Sequence, residues 1–96
     1  MSQTPSGSCS YTHLNANGTT TIKSGIGVLG QVVINTKGAT SSTITIYDNT
    51  SAAGAVIAVI DATGQLLTFI YNVAFVNGLT VVVANGTPPD ITVCWQ

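Results

Sequence analysis

The chain contains no arginine and no glutamate. Its charged residues are Lys23, Lys37, Asp48, Asp61 and Asp90, only 5% of 96 positions, where about 25% is ordinary for a soluble domain. Each absence excludes something. Nucleic-acid binding needs clustered cations to displace counterions, and two lysines at a net charge of -1 do not supply them. Acid–base catalysis needs opposed carboxylates or a histidine with an orienting acid. His13 is the one histidine, and no aspartate precedes Asp48. His13 is therefore read as a surface strand residue, and the chain as no enzyme. Cys9, Cys94 and His13 fall short of the four ligands of a structural zinc site, so no metal and no cofactor is expected. No apolar run approaches the roughly 20 residues of a membrane-spanning helix, and none of the first eight residues resembles a signal peptide.

Two cysteines leave two readings open. A chain kept in a reducing cytosol holds them as thiols. If the first and last strands pair, a disulfide between Cys9 and Cys94 closes nearly the whole chain.

What is abundant is Val, Ile and Thr, in a chain 45% hydrophobic with a mean hydropathy of +0.46. β-branched residues suit a pleated, half-buried surface. Turn signals recur at short spacing, among them Asn17-Gly18, Lys37-Gly38, Thr63-Gly64, Asn77-Gly78 and Asn85-Gly86. This pattern predicts an all-β fold, an antiparallel sandwich of jelly-roll or Greek-key type. Eight short strands are expected at residues 9–14, 19–23, 27–35, 42–48, 54–60, 67–75, 79–84 and 91–95. The first two read as a hairpin around Asn15-Ala16-Asn17-Gly18. Residues 1–8 read as a flexible arm and residues 9–96 as one domain.

Alternation assigns faces. Ile44 and Ile46 point to a core, with Thr43, Thr45 and Tyr47 opposite. Leu67, Phe69, Tyr71, Val73 and Phe75 share one side, as do Leu79, Val81 and Val83, and Ile91, Val93 and Trp95. Gly30 inside its strand marks a bulge or a close backbone approach. Residues 54–60 are apolar on both faces, Ala55, Ile57 and Val59 on one and Val56, Ala58 and Ile60 on the other. A small sandwich has core for only one of them, so Ala55, Ile57 and Val59, with Val82, are the candidate contacts with another protein surface. Tyr47 is the candidate exposed aromatic, and a sugar-binding platform would need it beside a second ring.

Three motifs have simpler readings. Gly25-x-Gly27-x-x-Gly30 is followed by a strand-like segment, whereas a dinucleotide site needs a helix there. The aspartates sit in turns, where their oxygens bond nearby amides. Asn17, Asn49 and Asn85 match a glycosylation acceptor pattern that frequent Asn and Thr produce by chance.

The order of blocks 25–36, 45–50, 57–61, 71–75, 77–81 and 90–93 resembles a family of short tailed-bacteriophage proteins. The resemblance implies a virion component assembled in the host cytoplasm, a head decoration or cement protein that stabilises the shell by contacting the major capsid protein or another virion protein; the two-sided apolar strand at residues 54–60 suits a homotrimer there. A tail or head-surface accessory that binds carbohydrate or a host surface is the alternative. Neither reading brings catalytic residues, a nucleic-acid partner or a membrane.

Overall fold

The computed structural model describes residues 9–64 and 67–96; the expected arm, residues 1–8, lies outside them. Eight strands form: β1 (Ser10–Leu14), β2 (Gly18–Ser24), β3 (Gly27–Thr36), β4 (Thr43–Tyr47), β5 (Val56–Asp61), β6 (Thr68–Phe75), β7 (Gly78–Ala84) and β8 (Asp90–Trp95). They build two four-stranded sheets, ordered β1-β8-β3-β6 and β2-β7-β4-β5. Every pairing is antiparallel.

The pairs β1–β8, β2–β7, β3–β6 and β4–β5 are the rungs of one long hairpin centred between β4 and β5. Wrapping that hairpin around itself adds the pairs β3–β8 and β4–β7 and splits the rungs between two sheets. This is the jelly-roll connectivity. It corrects the expected β1–β2 hairpin. Asn17-Gly18 does turn the chain, but it carries it from one sheet to the other, so β1 and β2 each meet a partner from the far end of the sequence, β8 and β7. Only β4 and β5 pair as sequence neighbours.

The predicted inner faces meet between the sheets. Leu29, Val32, Ile44, Ile46, Phe75, Leu79, Val81, Ile91 and Val93 are fully buried. Phe69, Tyr71, Val73 and Trp95 pack at the margin of this core. Leu67 is exposed.

Gly30 sits at a register shift of β3 against both β6 and β8. A Cβ there would lie 3.3 Å from the Cys94 carbonyl oxygen, so the backbones approach as the glycine suggested. Gly27 begins β3, and a Cβ there would run into the Phe75 ring. Gly27 and Gly30 of the Gly-x-Gly-x-x-Gly run thus serve packing, Gly25 takes a left-handed turn conformation with φ of 87°, and no helix follows them.

Hydrogen bonds tie the loops at both ends of the sandwich. At one end Asn17 Nδ2 donates to Gly86 O (2.9 Å), Ala39 and Thr87 form a bridge, and Gly38 N donates to Ala62 O (2.8 Å). At the other, the Asp48 carboxylate accepts from the amides of Val76 (3.0 Å) and Asn77 (2.8 Å), and Gly25 N donates to Asn77 O (3.0 Å).

Candidate interaction face

Residues directly opposite each other in an antiparallel pair point to the same side. The register therefore defines the outer face of the β2-β7-β4-β5 sheet. Its central row runs Thr19, Val82, Thr45 and Val59. On one side lies Thr21, Thr80, Tyr47 and Val56, and on the other Ala84, Thr43 and Asp61. Asp61 is the one charged residue in these three rows, and it sits at the corner. Elsewhere the face is threonine hydroxyls and valine methyls, with Tyr47 and Ala84 among them.

Strand β5 pairs only with β4 and so leaves one edge open. Its register slips: Ile46 faces Ala58, but Tyr47 faces Val56, which leaves Ile57 without an opposite number. A bulge of this kind inserts one residue and breaks strict alternation. The expected face of Ala55, Ile57 and Val59 is corrected accordingly. Ile57 turns inward and packs against the core. Ala55 precedes the strand and is exposed in the loop, where its carbonyl accepts from Asp48 N (2.9 Å). Val59 does face outward, at 67% exposure, and Val56 from the supposed opposite face joins it at 50%. Val82 is outward and half-buried.

The β4–β5 loop folds back over part of the face. Thr80 Oγ1 donates to Asn49 O (2.8 Å), and Thr21 Oγ1 donates to Thr50 O (3.1 Å). Thr80 is fully buried by this cover. What stays open is the end around Val59, a broad depression of about 520 Å3 lined by Ser41, Thr43, Val59, Asp61 and Thr63. Thr63 closes on Asp61 Oδ1 through its hydroxyl (2.6 Å) and amide (2.9 Å). Those two bonds hold the Asp61 carboxyl below its ordinary range. The aspartate is thus a self-contained turn, as expected.

The aromatic rings do not assemble into a platform. Tyr47 is half-buried on this face. Tyr11, 73% exposed, lies opposite Cys94 on the outer face of the other sheet. Trp95 is partly buried, donates from Nε1 to Thr12 Oγ1 (3.0 Å), and has Lys23 Nζ 5.8 Å from its ring centroid.

That other outer face holds a polar cluster that sequence reasoning missed. His13 Nε2 donates to Asp90 Oδ1 (2.7 Å), which also accepts from Asn35 Nδ2 (2.9 Å); the same amide reaches Thr92 Oγ1 (3.0 Å). These bonds, the Asn35 one foremost, hold the Asp90 carboxyl low. Nothing local signals the pairing: it depends on β1 lying beside β8. The cluster is exposed, and no group of three His, Cys, Asp or Glu fit to hold a metal occurs among the described residues. Asp48, Asp61 and Asp90 engage separate partners and form no carboxylate pair.

Comparison with family models, curated proteins and solved structures finds no match to this chain.

Proposed function

We propose that the chain is a structural component of a bacteriophage virion, a head decoration or cement protein that works as a homotrimer bound to the capsid shell. The observation that carries the reading is the outer face of β2-β7-β4-β5: nearly free of charge, apolar at Val56 and Val59, and ending in the unpaired edge of β5. Sheets that stand alone in water guard such edges with charge, proline or bulges. Here the bulge spends its extra residue on the core and leaves the valines outside. Burying each valine contributes about 1.5 kcal/mol. A β5 edge that meets a different surface on the next copy closes into a ring when the rotation fits, which suits a trimer. The jelly-roll connectivity is a frequent choice for capsid proteins and gives the reading general support.

Adhesion of this kind rests on apolar burial and backbone pairing, so it resists salt. Sedimentation at micromolar concentration is expected to give a trimer at both low and high salt, and purified shells stripped of the protein are expected to take it up. A monomer that shells ignore ends the proposal.

The alternative, a module for carbohydrate or a host surface, draws on the same fold, which lectins also use. It needs neighbouring exposed rings, and Tyr11 and Tyr47 occupy opposite faces. A glycan array is expected to be blank.

A further inference from the structure

The face that carries Tyr11 contains a second chemical feature. Across the first sheet runs the row Tyr11, Cys94, Gln31 and Ile70. Cys9 lies two residues before Tyr11, so it emerges on the same side of the sheet as Cys94. Cys94 stands opposite Tyr11, so Cys9 and Cys94 are diagonal neighbours on that face, within reach of each other's side chains. Both are half-buried rather than sealed in the core. A cavity of about 150 Å3 opens beside Cys9, lined also by Val28, Gly30, Gln31, Asn72 and Gln96, and the Gln31 in its wall reaches the Cys94 sulfur.

We propose that Cys9 and Cys94 are a redox modification site: an oxidisable dithiol that closes as an intramolecular disulfide and fastens β1 to β8. Cys9 lies just outside the first residue of β1, at the open edge of its sheet, and has the freedom to adjust to disulfide geometry. The closed loop spans nearly the whole described chain, which is where a cross-link restricts the unfolded state most. The inference stands apart from any assembly the protein forms.

The oxidant is a low-molecular-weight disulfide. Burial first, and the neighbouring Cys94 next, push the Cys9 thiol up. Cys94, whose sulfur accepts a long bond from Gln31 Nε2 (3.8 Å), is the attacking sulfur. It releases its proton to water and attacks one sulfur of the reagent, and the reagent's S–S bond breaks to expel one thiolate. Cys9 then gives its proton to water and attacks the Cys94 sulfur of the mixed disulfide, expelling the second thiolate. Two protein thiols are oxidised by two electrons, and the reagent is reduced to two thiols that take up the two protons.

The test equilibrates the full chain in glutathione buffers from reducing to oxidising. Intact mass after alkylation and the thermal midpoint are the readouts. Both thiols are expected to disappear together within one chain, with no glutathione retained, and Tm is expected to rise by about 10 °C or more. Cys9→Ser and Cys94→Ser are each expected to keep a glutathione adduct in oxidising buffer and to melt at the same temperature in both buffers. Two adducts per chain, a disulfide between chains, thiols that stay unreacted, or an internal disulfide that leaves Tm unmoved would each overturn the proposal. Cys9→Ser lies outside every strand, so it reports even if Cys94→Ser fails to fold.

Discussion

His13 Nε2 lies 2.7 Å from Asp90 Oδ1, a bond between residues 77 positions apart that joins the outer ends of β1 and β8. Asp90 is held below the ordinary carboxylate range first by the Asn35 amide and then by this histidine, and Asp61 is held low by Thr63. A depressed folded pKa contributes stability above the unfolded value, about 3.9, and that contribution is lost as pH falls through the folded one. Urea midpoints are therefore expected to drop on acidification below about pH 4. Asp61→Asn and Asp90→Asn are each expected to flatten that acid loss. A double variant with an unchanged acid profile would show that other groups govern it.

The bulge in β5 separates two neighbouring substitutions. Ile57→Lys drives a charge toward the core and is expected to unfold or aggregate the protein. Val59→Lys places the charge in solvent, so circular dichroism and Tm should stay near those of the parent while sedimentation shifts to monomer. An Ile57→Lys variant that keeps its structure as well as Val59→Lys does would mean that alternation survives the bulge.

Ser42 is fully buried, and its hydroxyl has no hydrogen-bond partner among the described residues. An unsatisfied buried hydroxyl carries a desolvation cost with no return. Ser42→Ala is expected to be neutral or to stabilise by up to about 1 kcal/mol. Denaturant unfolding checks this, and a clear destabilisation would reveal a partner for the hydroxyl.

Phe75 is among the largest fully buried side chains and lies opposite Gly27, whose missing Cβ leaves room for its ring. Phe75→Ala is expected to cost about 3–5 kcal/mol through lost burial and the cavity left behind. Equilibrium unfolding measures it; a loss under about 1 kcal/mol would mean that the sandwich collapses to fill the gap.

The strand positions and inner faces were legible because period-two alternation survives along most strands: Ile44 and Ile46, or Leu79, Val81 and Val83, reach the core as their parity predicts. Turn residues marked where the chain reverses but carried no information about its next partner, so Asn17-Gly18 read as a hairpin. Parity also fails at a bulge, which no residue type in Val56-Ile57-Ala58 announces, and Ile57 was placed on the wrong side for that reason. The His13–Asp90 pair was invisible because its geometry is a product of topology and not of spacing.

The wrapped hairpin also dictates when the chain can fold. β4 and β5 are the only sequence neighbours that pair; β2 waits for β7, and β1 waits for β8. Distant pairings close large loops before any contact rewards them, which makes folding slow. On the ribosome, β1 emerges first and stays unpaired until β8 has been made. Throughout synthesis β1, Ser10-Tyr11-Thr12-His13-Leu14, stands open to other nascent chains, and a strand without Lys, Arg, Asp or Glu has no electrostatic protection in that interval.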